Sequence, residues 1–413
     1  MQNRWVALTL LLVVYLLNFL DRMLIFILFP KIKAEMTFSD FELALLGSTS
    51  FVIFYTLLGV PFGRLADRMS RTKLIAAGLA TWSLFSGLTG FADGFWSIFL
   101  CRVMVGVGEA TLGPAAMSLI SDWFEPRRRA TVQSLFSMGI PLGAAAAFFL
   151  GSWIGETYGW RMAFYWLGFP GIGLALLMLT VPEPARGATE VGKAAAVAPT
   201  GALLADLRAL FSVPALRWHL LGYAGLAVAG NAISMWVPKL LATGYGAPLL
   251  QIGQISAVAM VVAGGLATGF GGALADSFRA KDPGGRMRFT ALTGLATAGF
   301  WVVMLASGDL TWMYGALFGL AGMGLIWLGP AAADVHSLVG PNLRGLGIAV
   351  YYLVVNLVGY GLAPPLIGKL SDALGSATDP LQLRFALIIC PVACLFAAFA
   401  LSRGAAAMRR AAA

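Results

Sequence analysis

Leu112-Gly113-Pro114-Ala115-Ala116 recurs, residue for residue, as Leu328-Gly329-Pro330-Ala331-Ala332, at an offset of 216. Two further matches follow in the same order. Gly63-Arg64-Leu65-Ala66-Asp67 is echoed by Gly272-Ala273-Leu274-Ala275-Asp276 at an offset of 209, and Pro126 with its basic cluster by Pro341 and Arg344 at an offset near 215. Chance gives one such match in an alanine-rich chain; three in order imply duplication. Around each copy lie apolar runs of the ~20 residues needed to cross a hydrocarbon core. They fall near 5–30, 43–65, 74–92, 95–121, 130–154 and 161–181, then near 217–241, 250–275, 287–306, 311–336, 343–369 and 382–402. Numbered helix 1 to helix 12, they predict an all-α membrane protein of two pseudo-symmetric six-helix bundles, at residues 1–182 and 216–413. The connection at 183–215 is rich in Ala, Gly, Thr and Pro. A short amphipathic helix is expected in it near Leu203–Phe211, lying on the membrane surface.

Composition supports lipid as the solvent. Of 413 residues, 59% are hydrophobic and only 11% charged, whereas a soluble chain carries roughly 25% charged residues. The net charge of +9 does not indicate nucleic acid, because the basic residues sit in short loops between apolar runs. If the N-terminus is cytoplasmic, 20 of the 28 basic residues are internal and six external, with Arg22 and Arg102 in the membrane. That excess orients the chain with both termini in the cytoplasm, and a bacterial inner (plasma) membrane is the expected location. The first apolar run is too long for a cleaved signal and contains Asp21 and Arg22, so it is expected to remain as helix 1. Cys101, Cys390 and Cys394 lie in apolar runs and are expected to be packing residues.

Between helices 2 and 3, Gly63-Arg64-Leu65-Ala66-Asp67-Arg68-Met69-Ser70-Arg71-Thr72-Lys73 resembles the loop signature of the major facilitator superfamily. Ser70 stands where glycine is usual, which bears on the tightness of the turn. A narrower resemblance covers most of the N-terminal half. Asn18-Phe19-Leu20-Asp21-Arg22, Arg102 through Gly106, Gly108, Glu109 and Ala110, Ile140-Pro141-Leu142-Gly143, and Glu183-Pro184-Ala185-Arg186-Gly187 are similar to motifs of the Spinster family. The resemblance implies a major facilitator fold and the export of lysolipids or sphingosine-1-phosphate, in several members coupled to protons. The implied substrate is an amphipathic lipid with an anionic or zwitterionic head. A drug exporter and an organic-anion/proton symporter of the same superfamily stay open as alternatives.

Charges deep in a bilayer cost several kcal/mol each, so they face water, a partner or a substrate. Four are expected there: Asp21, Arg22, Arg102 and Glu109. Seven residues apart, Arg102 and Glu109 share a face of helix 4 about 10 Å apart along its axis, too far to pair but able to bracket one site. Tyr15, Asn18 and Arg22 share a face of helix 1, with Asp21 about 100° round from Arg22. Arginine stays protonated and can bind an anion but cannot carry the coupling proton. Arg22 and Arg102 are therefore the expected headgroup ligands. Glu109, which follows Gly106 and Gly108, is the first candidate for proton coupling, and Asp21 is the second. The competing expectation is a static ion-pair cluster joining helices 1 and 4. His219 and His336, at the ends of helices 7 and 10, are expected to be satisfied interfacial residues.

Elsewhere, Tyr352, Asn356 and Tyr360 recur every four residues as an expected polar stripe on helix 11, and Asn231 sits midway along helix 7. These groups either line the cavity or bond neighbouring helices. The loop signature is expected to act as a gate, with Asp67 set against the N-terminus of helix 11, Arg68 beside it, and Arg71 reaching Asp122 at the end of helix 4. The Asp276 echo, followed by Ser277 and Phe278, carries less weight. Isolated histidines without a paired nucleophile and base disfavour a membrane enzyme, and the lack of a Gly-x-x-x-x-Gly-Lys-Ser/Thr loop disfavours a nucleotide-driven pump. The expected partners are a small amphipathic or anionic substrate, protons and the bilayer, with no nucleic acid, no metal and no cofactor, in a chain acting as a monomer.

Overall fold

The computed structural model describes residues 4–186, 203–339 and 343–412. Among them, twelve helices are long and apolar enough to cross a membrane, and the chain is an integral membrane protein of twelve apolar helices. The spans are Arg4–Met36, Asp40–Gly59, Arg71–Phe91, Phe95–Trp123, Thr131–Thr157 and Trp160–Met178 in the first half. In the second half they are Pro214–Gly244, Leu249–Arg279, Gly285–Ala306, Leu310–Leu338, Arg344–Ala373 and Pro380–Ala411. Residues 187–202 of the connection, and Pro341 of the third repeat, lie outside the described residues. A helix does form at Leu203–Ser212, where an amphipathic segment was expected.

The repeated Leu-Gly-Pro-Ala-Ala stretch has a structural consequence in both copies. Helix 4 runs Phe95–Glu109, breaks, and resumes as Leu112–Trp123; helix 10 runs Leu310–Leu325, breaks, and resumes as Leu328–Leu338. Pro114 and Pro330 explain both interruptions. A proline has no N–H to offer the carbonyl four residues earlier, and its ring collides with that carbonyl, which places the disturbance at Ala110 and Ile326. The first break therefore follows directly on Glu109. The repeat also extends to the aromatic belt: Trp96 and Trp312, again 216 apart, are 75% and 68% exposed near the starts of helices 4 and 10. Indoles favour the membrane–water boundary.

The residues divide into two compact units, 1–194 with 246–257, and 195–245 with 258–413. The first unit takes in the beginning of helix 8 because that segment seats closely on helix 5. A Cβ on Gly253 would lie 2.3 Å from the Phe148 carbonyl oxygen, and the Leu250 amide donates to Glu156 Oε2 at 2.6 Å. Trp82 is fully buried in the first unit, and Trp236 and Trp301 in the second. Cys101, Cys390 and Cys394 are buried and unbridged.

Candidate functional site

Helices 1 to 4 converge on the buried charges. Arg22, on helix 1, donates to Glu109 Oε2 on helix 4 from both Nε (3.2 Å) and Nη2 (2.7 Å). The guanidinium lies 4.8 Å from the ring centre of Phe19, 4.6 Å from Phe51 and 4.8 Å from Tyr55, so three aromatic faces hold the cation as well. Asn18 is buried beside the Glu109 carboxylate. Glu109 Oε1 has no hydrogen-bond partner among the described residues. The two members differ in access: the Arg22 side chain is 17% exposed and that of Glu109 is 0%.

Glycines bring the backbones close enough to bury these charges. A Cβ on Gly106 would meet the Phe51 carbonyl oxygen at 2.6 Å, and one on Gly108 the Gly78 carbonyl oxygen at 2.7 Å. Helix 4 thus touches helices 2 and 3 directly, with Glu109 one residue beyond.

Arg102 and Asp21 sit deeper. Arg102 is turned into the packing, where it donates to the backbone carbonyls of Leu46 (3.3 Å), Asp21 (3.4 Å) and Gly47 (3.2 Å). Leu45–Thr49 forms a π-helical turn at the start of helix 2, and such turns divert carbonyls from the regular α ladder. Expected to meet a headgroup, Arg102 is instead 2% exposed and engaged with the main chain. Asp21 is fully buried and accepts from the Ser86 hydroxyl at 2.7 Å, with the Trp82 indole beside it. Tyr15 is half-buried and stacks on Phe136 of helix 5, ring centres 4.2 Å apart. Phe51 and Tyr55, which complete the aromatic enclosure, were not anticipated. Their i, i+4 spacing on helix 2 is an available signal, but it resembles ordinary apolar packing.

In the second unit the candidates disperse. Asn231 is buried and donates from Nδ2 to the Gly359 carbonyl at 3.3 Å, so it bonds helix 7 to helix 11. That carbonyl belongs to a π-helical turn, Leu357–Leu362. The turn shifts the helical phase between Asn356 and Tyr360, and the four-residue stripe is interrupted there. Tyr352 is half-exposed and lies against Tyr351. His219 differs from expectation: it is fully buried, and neither ring nitrogen has a hydrogen-bond partner among the described residues. It packs on Tyr223 and Tyr351 at 4.5 and 5.5 Å. Its burial comes from packing against those two aromatic rings, one on its own helix and one on helix 11. His336 is exposed.

The loop signature forms a second polar centre in the first unit. Arg71 is buried and uses its whole fork. Nη1 donates to Asp122 and to Ser118 Oγ (2.9 Å), Nε to Glu183 Oε1 (2.9 Å), and Nη2 to the Pro184 carbonyl (2.9 Å). Its backbone amide also donates to Glu183 Oε1 at 3.0 Å. Arg186 caps the end of the helix Ser50–Arg68, which continues helix 2, by donating to the carbonyls of Ala66 (2.8 Å) and Met69 (2.9 Å). Burial alone would raise the Glu183 pKa, but the Ser70 hydroxyl and the Arg71 amide and guanidinium hold it below the usual carboxylate range. Ser70 does not loosen the turn. It has φ −61° and caps helix 3, its hydroxyl accepting from the Lys73 amide, so no left-handed residue is needed. Asp67 and Arg68 are exposed. In the second unit Arg286, 215 residues after Arg71, pairs with Asp276 at 2.7 Å and lies 3.9 Å from buried Asp334. The roles of Glu183, Arg186, Arg286 and Asp334 were not anticipated, although an acid such as Asp334 within an apolar run is itself a signal.

Comparison with known proteins agrees with this architecture. The profile described as Major Facilitator Superfamily matches residues 11–364. The human protein spinster homolog 1 is 30% identical, over 91% of this chain and 75% of its own length. An MFS-type efflux pump of Mycolicibacterium smegmatis is 27% identical, over 94% and 89%. The crystal structure of a bacterial homolog of the human lysosomal transporter Spinster, inward-facing and unoccupied, superposes with a TM-score of 0.82 at 25% identity, covering 99% of this chain and 96% of that one. Family and fold are those of transporters of small substrates, not of enzymes, and the chain belongs to the Spinster family within the major facilitator superfamily.

Proposed function

We propose that this transporter works by alternating access, coupled to protons, and moves a lysolipid or sphingolipid-like amphiphile with an anionic or zwitterionic head. The observation that carries this reading is the Arg22–Glu109 pair, in which the arginine retains exposure and the carboxylate has none. Ionised Glu109 occupies the Arg22 guanidinium. A proton on Glu109 removes the charge that competes for Arg22 and frees the cation for a phosphate or carboxylate head. Arg102 then acts as a positioning residue, fixing the π-helical turn that presents Phe51. Asp21 is the second proton-carrying candidate. Tyr15 and Asn18 extend the same face of helix 1. Within the second unit, taken by itself, Asn231, Tyr352, Asn356 and Tyr360 are the candidate substrate-contacting groups. Arg71 and Asp122 hold the loop signature, and with Asp67 and Arg68 they act as the gate.

The chain functions as a monomer in a bacterial inner membrane, with both termini in the cytoplasm, as the distribution of basic residues supports. The relative described as an efflux pump supports a second reading, export of hydrophobic drugs. One experiment separates them: binding and pH-gradient-driven uptake in proteoliposomes, across a panel of lysolipids, organic anions and drugs. Lysolipid binding that survives Arg22→Ala, or accumulation indifferent to a pH gradient, would overturn the first reading.

A further inference from the structure

Helix 12 begins irregularly. A 3-10 turn at Pro380–Gln382 leads into Leu383–Ala386, and the regular helix starts only at Ile389. Pro391 accounts for the gap, since it offers no N–H to the Leu387 carbonyl and its ring crowds that position. Where helix 12 is interrupted, a groove of about 430 Å³ opens between it and the last turns of helix 9, within the second unit. Its walls are Val302, Leu305, Ile388 and Pro391, and Arg384 and Phe385 also line it. The volume lies within the ~300–1,000 Å³ typical of small-molecule sites. Val302 and Ile388 are 55% and 48% exposed, on helices that cross the bilayer, so hydrocarbon lies against this face.

Arg384 is the unusual member. Its guanidinium rests 4.8 Å from the Phe385 ring centre, and no carboxylate pairs with it among the described residues. The acids of the neighbouring loops are already engaged with their own chain. Asp309 accepts from the Thr311 amide at 2.6 Å, and Asp379 from the Leu381 amide and the Gln382 side chain at 3.0 and 2.8 Å. A cation without a counter-ion, at the membrane-boundary end of two spans and beside an apolar groove, matches the two parts of a phospholipid.

We propose that the groove between helices 9 and 12 is a binding site for a bilayer phospholipid of net negative charge, with its phosphate on the Arg384 guanidinium and one acyl chain against Val302, Leu305, Ile388 and Pro391. A guanidinium can engage phosphate oxygens bidentately, and burying the chain removes apolar surface from contact with mobile lipid. This site faces the bilayer and is independent of the substrate transported.

Native mass spectrometry of the full chain, purified with graded phosphatidylglycerol or phosphatidylcholine, tests it. The wild type is expected to retain phosphatidylglycerol in preference to phosphatidylcholine. R384Q should lower phosphatidylglycerol occupancy roughly tenfold, as expected for the loss of one charge-assisted contact. V302W, which fills the groove and leaves the cation in place, should lower it as well, so the result does not depend on the folding of one variant. Unchanged phosphatidylglycerol retention in either variant overturns the proposal. So does displacement of the lipid by inorganic phosphate at equal concentration, because the acyl chain would then contribute nothing.

Discussion

Arg22 donates twice to one oxygen of Glu109, Oε2, while Oε1 takes no hydrogen bond from Arg22 and has no partner at hydrogen-bond geometry among the described residues, with buried Asn18 beside the carboxylate. A fully satisfied structural ion pair in a membrane interior would engage both oxygens, since each unmade bond to a buried carboxylate is costly. The half-used carboxylate and the partly exposed guanidinium, enclosed by Phe19, Phe51 and Tyr55, suit a pair that exchanges partners. Arg71 provides the contrast within the same unit: its backbone amide and every guanidinium nitrogen find acceptors, as expected of an anchor.

Glu109→Gln reproduces the protonated side chain in shape and neutrality. It should abolish substrate accumulation driven by a pH gradient in proteoliposomes and preserve exchange of substrate down its own gradient. Full pH-dependent accumulation in Glu109→Gln would pass the coupling role to Asp21. If Asp21→Asn also stays coupled, the cluster is structural.

The two arginines should fail differently. If Arg22 holds the head as proposed, Arg22→Ala should weaken binding by about 1.5–3 kcal/mol, or roughly ten- to a hundredfold. It also leaves the buried Glu109 carboxylate unpaired, so thermal stability should fall at pH values where Glu109 stays ionised. Arg102→Met leaves the carbonyls of Leu46, Gly47 and Asp21 without their donor. At ~1–3 kcal/mol for each stranded group, it should cost at least about 3 kcal/mol of stability while affinity in the folded fraction stays near wild type. Calorimetric binding combined with thermal unfolding reads both. The same affinity loss in the two variants would return Arg102 to the headgroup site.

What was legible in the sequence follows from what is periodic or charged. Apolar run length and the offset repeats mark the twelve helices, and the spacing of Tyr15, Asn18 and Arg22 places one wall of the cluster. The orientation of Arg102 was not legible, because nothing in a single run announces the π-helical turn at Leu45–Thr49 that draws its guanidinium onto main-chain carbonyls. The partners of Arg71 were half legible. Asp122 lies at the expected end of helix 4, but Glu183 is 112 residues away in sequence, and only the chain path after helix 6 brings it back. The burial of His219 was not legible, because it depends on Tyr351 of helix 11, which only the tertiary fold brings against helix 7.

His219 supplies a test of buried polarity without function. Neither nitrogen finds a partner among the described residues, and its neighbours Tyr223 and Tyr351 are aromatic. Replacing an unpaired buried polar ring by an apolar one of similar shape removes a desolvation cost. His219→Phe should be neutral or stabilise the second unit by up to about 1 kcal/mol, with transport unchanged. Loss of coupled transport in a stably folded His219→Phe would assign the imidazole a role in proton movement.

The last prediction concerns the segment after helix 6, which Arg71 and Arg186 clasp to the turn between helices 2 and 3. The Glu183 carboxyl has a folded-state pKa below its ordinary value, held there by the Ser70 hydroxyl and by Arg71 against the opposing effect of burial. A depressed carboxylate contributes stability that is fully present above its unfolded pKa, ~4.3 for Glu, and is lost as the pH falls through the lower folded value. The clasp should hold from neutral pH down to that range and loosen below it. Glu183→Gln should already be loosened at pH 7, with little further change on acidification, because an amide cannot supply the charge that Arg71 meets. Spin labels on cysteines placed at Ala185 and Lys73 would report the separation, and the buried native cysteines leave little background. If the clasp restrains the gate, Glu183→Gln should also change the rate of substrate exchange without altering affinity, since Glu183 lies far along the chain from the Arg22 cluster and touches none of its members. A wild-type distance distribution for Glu183→Gln at pH 7 would mean that Asp122, Ser118 and the Pro184 carbonyl hold Arg71 unaided, and that Glu183 is dispensable to the latch.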